Sequence, residues 1–452
     1  MTDRVDRPSN LLSGEHRSLI IGLLGTMTFI AFESFAITTA LPVVVDDFGA
    51  DRWYSLAYAS TLTAALVGMT IGGNWADRRG VLVPMAVGGT AFLIGIALCV
   101  VAPTIELFVA GRLLQGFGGG INSVVLYVVI AQCIPAELHS RTFGLLTAAW
   151  LLPGISGPLL AGVLVEFVGW RTVFALALVG SGVSLTILLV AVRGSVQLRN
   201  GTAVFGSRGR WAMVAAAGVL ALHLAGQQTV PILVLGSLGA VSLIGLSATR
   251  LLPQGTFRIR PGIPRATVLR GLLGATVAAT DIYLPLYLQR QLGYSPSSSG
   301  LIVALGAIGW IFGAWLQGRS SGGDGGSALV PRAVVLVFVG PVGAWLFVAG
   351  AIPVPALVVA CIVMGTGMGL AYPRITATVL SESTEAEYGA NSSGLQISES
   401  MNQSILIAVS GAVLSLAIAH EFLIAYTLIA GVGGAAVLVA RRPASNLRRS
   451  HC

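Results

Sequence analysis

Charge is what this sequence lacks most. Asp, Glu, Lys and Arg make up 10% of its 452 residues, against about 25% in an ordinary soluble domain. Such a chain cannot cover a globule of its size with a polar surface, which excludes a soluble enzyme, a nucleic-acid-binding module and a disordered protein. Lysine is absent, so all 26 basic residues are arginine. A Walker phosphate loop needs its lysine, so the chain is no P-loop ATPase. Cysteine is scarce too: Cys99, Cys133, Cys361 and Cys452 stand without C-x-x-C spacing, which offers neither a zinc site nor a disulfide framework. The five histidines show no metal spacing, and there is no H-E-x-x-H, G-x-S-x-G or glycine-rich nucleotide loop. No metal, no cofactor and no catalytic centre are expected.

Apolar residues are abundant, at 55% of the chain with a mean hydropathy of +0.86. Crossing a bilayer takes about 20 apolar residues, and runs of that kind fall at 18–41, 54–76, 81–102, 105–130, 142–165 and 170–192. Two shorter runs follow at 211–226 and 229–249, then six more at 267–289, 297–317, 329–350, 354–373, 389–418 and 421–440. The pattern predicts an all-α polytopic membrane protein with 14 spans in a six-two-six order; the central pair reads either as full spans or as a re-entrant hairpin. Domain boundaries are expected at an N-terminal tail (1–17), a six-helix bundle (18–193), a linker with two extra helices (194–265), a second six-helix bundle (266–441) and a C-terminal tail (442–452).

Arginine gives the orientation. With the N-terminus inside, every arginine except Arg52, Arg112, Arg171 and Arg290 falls on the inner side, including Arg4, Arg7, Arg199, Arg270, Arg448 and Arg449. This is the positive-inside distribution, and it predicts both termini in the cytoplasm. It also explains the net charge of +8 without a nucleic-acid partner. The halves look related: Gly73-x-Trp75-x-x-x-Arg79 recurs as Gly313-x-Trp315-x-x-x-Arg319, followed by VLVP at 81–84 and ALVP at 328–331. Duplicated six-span halves with a site between them are a transporter arrangement.

Several segments carry charge or special backbone chemistry. Arg112 and Gln115 lie in GRLLQGFGGG (111–120), within a span. An intramembrane arginine demands an acidic or carbonyl partner, and marks a functional site by default. Glu33, in FESFAITTALP (32–42), lies at similar depth, about 10–12 Å below the outer end of its run. The alternative for Arg112 is to snorkel toward the outer headgroups. Asp281 stands within DIYLPLYLQRQLGYSPSSSGL (281–301), and Gln396, Glu399 and Gln403 share one helical face, expected at the depth of Asp281. Either acid could face a cavity, or Asp281 could hydrogen-bond to Tyr283 or a neighbouring backbone.

Several of these segments resemble the major facilitator superfamily. GGNWADRRG (72–80) is similar to its G-x-x-x-D-R-x-G signature through Gly73, Asp77, Arg78 and Gly80, although Val83 and Pro84 replace the usual basic end. The resemblance implies a cytoplasmic gating loop, for which Glu137 and Arg141 are available as charge partners; an ordinary basic loop is the alternative. R-x-x-Q-G is matched by Arg112, Gln115 and Gly116, and WRTVF (170–174) also resembles the family. The 32–42 segment resembles the acid-bearing first helix of drug/proton antiporters through Glu33, Ala40, Leu41 and Pro42. Gly144, Pro153, Gly157, Pro158 and Gly162 fall on the register of the antiporter helix, with Pro153 and Ala161 replacing glycines; simple small-residue packing is the alternative.

The six-two-six order resembles the fourteen-helix members. The resemblance implies a secondary transporter in the plasma or inner membrane, exporting small hydrophobic or cationic compounds in exchange for protons as a monomer. Glu33, Arg112, Asp281 and Glu399 would couple the proton, with Glu33 the principal titrating group. Glu33, Gln115, Asp281, Tyr283, Gln396, Glu399 and Gln403 would line the substrate cavity. A proton-linked facilitator of a metabolite, sugar or lipid precursor and a non-transporting membrane sensor are the competing expectations.

Overall fold

A chain in hydrocarbon must satisfy its own backbone hydrogen bonds, and the α-helix does so within one segment. The structure, a computed structural model, describes residues 16–193, 204, 206–228, 230–319, 326–384, 388–416 and 418–442. Arg4, Arg7, Arg199, Arg448, Arg449, Cys452 and most of both tails lie outside the described residues. The described residues form fourteen helices. They are α1 Arg17–Asp47, α2 Tyr54–Arg79, α3 Leu82–Val101, α4 Ile105–Cys133, α5 Ala136–Phe167, α6 Arg171–Val192 and α7 Ser207–Ala225. The remainder are α8 Val230–Leu251, α9 Ile263–Leu292, α10 Pro296–Arg319, α11 Gly326–Val348, α12 Val354–Glu382, α13 Tyr388–Ser415 and α14 Glu421–Arg441.

Twelve of these are long and apolar enough to cross a membrane. The two that fall short, α7 and α13, do so by polarity and not by length. At 19 and 28 residues both exceed or approach ~30 Å, but α7 carries Arg208, Arg210 and His223, and α13 carries Asn391, Gln396, Glu399, Asn402 and Gln403. Many helices also overrun their apolar runs. The run at 354–373 becomes Val354–Glu382, because a helix keeps its backbone bonds as it passes into polar surroundings.

The packing pattern occurs twice. In the first half α4 packs against α2 and α3, and α1 against α5 and α6; in the second, α12 packs against α10 and α11, and α9 against α13 and α14. The small residues responsible also correspond. A Cβ on Gly116 of α4 would overlap the Thr61 carbonyl of α2, and one on Gly365 of α12 would overlap the Gly306 carbonyl of α10. Such contacts let helix backbones approach where lipid gives no hydrophobic drive for association. The halves meet through α5–α10, α2–α13 and α1–α9, while α7 packs on α8 and on both α2 and α13.

We call the face where α1 begins and α14 ends the tail face, and the opposite one the far face. One apolar core joins both halves at the far face, from Ile30–Val45 and Tyr54–Ala59 to Ala275–Leu288, Ile407 and Tyr426. Toward the tail face each half has its own core. One holds only α1–α6 residues such as Ile20, Ile121 and Leu188; the other holds only α9–α14 residues such as Leu273, Met368 and Val439. A further core built on α7 and α8 reaches Leu66 of α2 and Ile397 and Met401 of α13. The two halves therefore share one core directly at the far face, whereas toward the tail face they keep separate cores that α7 and α8 bridge at one side.

Candidate functional site

Arg112 is held inside the first half. The close approach at Gly116 brings α4 onto α2, and one turn away this places the Ala57 carbonyl 3.3 Å from Arg112 Nε. Arg112 Nη1 donates to Glu33 Oε1 of α1 and, at 2.9 Å, to Gln115 Oε1. Arg112 and Glu33 are 2% and 4% exposed, so the arginine does not snorkel to the headgroups. Gln115 is also fully buried. It belongs to this ion pair and does not line a cavity as expected.

The second half contains an ion pair that the sequence reading missed. Arg270 of α9 donates through Nε to Glu399 Oε2 of α13 at 2.7 Å, and through Nη1 to Thr376 Oγ1 of α12 at 3.2 Å. Its guanidinium carbon lies 3.7 Å from the Tyr372 ring centroid. The Tyr372 hydroxyl donates to Glu399 Oε1 at 2.9 Å, and Gln403 Nε2 reaches the same oxygen at 3.4 Å. Arg270, read from the sequence only as an inner-side charge, is the eighth residue of α9. Gly262 and Pro264, a helix-start pair, open α9 at Ile263 and were the available signal.

Asp281 is not level with Glu399. Gly274 faces Glu399 closely, its built Cβ 2.7 Å from Glu399 Cγ. Asp281 lies seven residues further along α9, about 10 Å nearer the far face. Counting from the ends of the apolar runs puts the two acids at one depth, but α9 begins at Ile263, before its apolar run at 267. Among the described residues no cation is paired with Asp281; Tyr58, Cys361 and Tyr426 lie within electrostatic range. Tyr283 is not its partner and does not line a cavity: it is fully buried and donates to the Ile407 carbonyl at 2.6 Å. Gln396 and Gln403 are half-buried on α13.

At the far face the halves are tied by polar contacts. Arg290 of α9 pairs with Asp46 of α1 and with Asp51 just before α2. Gln289 Nε2 donates to the Thr39 carbonyl at 3.1 Å, the Tyr54 hydroxyl donates to the Ile282 carbonyl at 2.5 Å, and the Ser297 amide donates to Glu166 Oε2 at 3.2 Å. Two of the antiporter-register residues of α5 stand on this seam. Gly162 and Pro158 do so by meeting Pro296 and Gly300 of α10, whereas Gly157 admits Phe35 of α1 within the first half. Pro153 is buried, whereas Gly144 is exposed with nothing close to it and packs against no neighbour.

At the tail face α2 ends at Gly80, whose φ of +73° suits glycine. Arg78 is exposed, a Cβ on Gly73 would lie 3.4 Å from the Val124 side chain, and the Asp77 side chain lies outside the described residues. Glu137 and Arg141 are exposed on the first turns of α5, and neither forms an ion pair among the described residues.

Comparison with known proteins agrees with this architecture. Two relatives cover most of the chain. A Mycobacterium tuberculosis protein named "Probable multidrug-efflux transporter" is 24% identical over 93% of this chain and 95% of its own. The Bacillus subtilis "Multidrug transporter protein MdtP" is 26% identical over 88% and 75%. "Multidrug resistance protein 3" of Bacillus subtilis is 26% identical over 66% of this chain, which spans 60% of that relative's length. Among solved structures, the peptide transporter PepTSo superposes with a TM-score of 0.69 at 13% identity, over 93% of this chain and 96% of its own. A D-xylose–proton symporter gives 0.65 at 16%, over 96% and 98%. At such identities the likeness is one of fold. The chain, with its two repeated six-helix sets, belongs to the Major Facilitator Superfamily, whose model matches residues 23–405.

Proposed function

We propose that this transporter exports small hydrophobic or cationic compounds in exchange for protons, by alternating access. In this reading the tail face is cytoplasmic, the membrane is the plasma or inner membrane, and one chain suffices because its two halves enclose the path. The halves correspond to 18–193 and 266–441, with 194–265 as linker and inserted hairpin, and 1–17 and 442–452 as tails. The structure is then the inward-open state. The names of the multidrug-efflux relatives support the substrate class.

The observation that carries proton coupling is the contrast among three intramembrane acids. Glu33 and Glu399 are each compensated by an arginine; among the described residues Asp281 has none. An intramembrane carboxylate without a cation is neutralised by a proton or by a cationic substrate, and such residues mark proton relays. Binding of one then excludes the other, which is the competition that exchange requires. Sequence resemblance favours Glu33 as the titrating group. Its closed cluster with Arg112, Gln115 and the Ala57 carbonyl favours a different role, that of a pair which must part when the first half rearranges.

Flux of a cationic dye in proteoliposomes containing the full chain tests this. A proton gradient should drive the dye in the direction opposite to the protons. Movement of dye with the protons, or flux indifferent to the gradient, would overturn proton-coupled export.

A further inference from the structure

We infer that Arg270 is a tethered occupant of a site for planar organic cations, formed by Glu399, the face of Tyr372 and the Thr376 hydroxyl; this rests on the export reading above. The argument starts from what surrounds the guanidinium. Its central carbon lies over an aromatic ring, 3.7 Å from the centroid. One edge meets a carboxylate at 2.7 Å and another nitrogen a hydroxyl at 3.2 Å. Stacking on an aromatic face combined with in-plane hydrogen bonding to a carboxylate is the recognition pattern of a delocalised planar cation.

The site around it is built. The Tyr372 hydroxyl fixes the carboxylate at 2.9 Å, while Trp310 fixes the Tyr372 ring edge-on, with centroids 5.9 Å apart. Gly274 removes side-chain bulk beside Glu399, where a Cβ would come within 2.7 Å. Four helices, α9, α10, α12 and α13, thus converge on a single cation.

Two comparisons separate this from a merely structural pair. Arg112 and Glu33 are 2% and 4% exposed, whereas Arg270 and Glu399 are 17% and 20% exposed. Arg270 and Glu399 also lie on the side where the two halves have separate cores, and both keep part of their surface exposed there. Tyr127 of the other half lies within electrostatic range of Arg270. A substrate cation that takes Glu399 must displace Arg270 and uncover the ring of Tyr372. Arg270 therefore acts as a built-in competitor: it holds the empty site neutral and sets an affinity threshold that favours flat cations able to stack and to donate paired N–H groups.

Calorimetric titration of the detergent-purified full chain with benzamidinium, and with tetraethylammonium as a cation without N–H groups, tests the inference. Arg270→Gln should bind benzamidinium at least tenfold more tightly than the unmodified chain, with a smaller gain for tetraethylammonium. Arg270→Lys keeps the charge and guards against misfolding of the neutral variant; it should fall between the two. Adding Glu399→Gln to Arg270→Gln should abolish the gain. Unchanged or weaker benzamidinium binding in Arg270→Gln or Arg270→Lys overturns the inference, as does equal gain for both cations. No gradient is involved, so failure here leaves proton-driven flux to be judged separately, and failure of that flux leaves the binding order standing.

Discussion

Neutralising one member of a buried ion pair strands the other, and the cost is commonly 3–5 kcal/mol. Glu33→Gln would leave Arg112 with only the Gln115 side chain and the Ala57 carbonyl, in surroundings where water cannot substitute. It should lower the thermal unfolding temperature of the purified protein, and changing Arg112 as well should restore much of the loss. Asp281→Asn strands no cation, so its unfolding temperature should stay near that of the parent while the response of dye flux to a pH gradient disappears. The reverse result, with Glu33→Gln stable but uncoupled and Asp281→Asn coupled, would return the proton to Glu33, where sequence resemblance puts it. The sequence shows both acids and their helices. It does not show which has a cation, because Arg270 and Glu399 are 129 residues apart and their pairing exists only once α9 and α13 pack.

At the scale of elements, apolar run length made the helices legible. It worked even for α13, whose polar stripe lowers its hydropathy, since the run around the stripe remains long. Helix ends were less visible, because hydropathy reports the hydrocarbon boundary and not the end of the backbone hydrogen bonds; α9 and α12 both overrun it. The gating loop was legible as a motif, but its Asp77 side chain lies outside the described residues. The hairpin of α7 and α8 was read as either re-entrant or spanning, and helices of 19 and 22 residues, about 28 and 33 Å long, favour spanning. The α7 end is fixed at the far face: the Ser415 hydroxyl donates to the Gly226 carbonyl at 2.8 Å, and His223 lies 3.4 Å from Ser55. Gln228 follows in an exposed turn. A cysteine at Gln228 should therefore react with an impermeant thiol reagent added outside intact cells; Cys99 and Cys361 are buried and give little background. Labelling that appears only after lysis would reverse the proposed orientation.

For the whole molecule, arginines on the far face are exceptions to the charge distribution, and two have specific partners. Arg171 pairs with Asp47 at 3.1 Å and lies 4.2 Å from a Trp170 ring centroid, tying α6 to α1 within one half. Arg290 instead crosses between the halves to Asp46 and Asp51, so it must release them before the far face can open; nothing in the structure explains Arg52. These acids are about half to two-thirds exposed, and exposed pairs contribute at most about 1 kcal/mol each. Loss of both should therefore shift the population by roughly 5–30-fold toward the far-open state without unfolding the shared apolar core. Spin labels on cysteines at the exposed positions Glu106, in the first half, and Ala351, in the second, would read the separation at that face. Arg290→Ala should enlarge the long-distance population, and Asp46→Asn combined with Asp51→Asn should do the same. Because both variants remove the same contacts from opposite halves, a shift in only one would locate the effect in that residue's own half. A shift in neither would leave the apolar core, and not these charges, as what holds the far face shut.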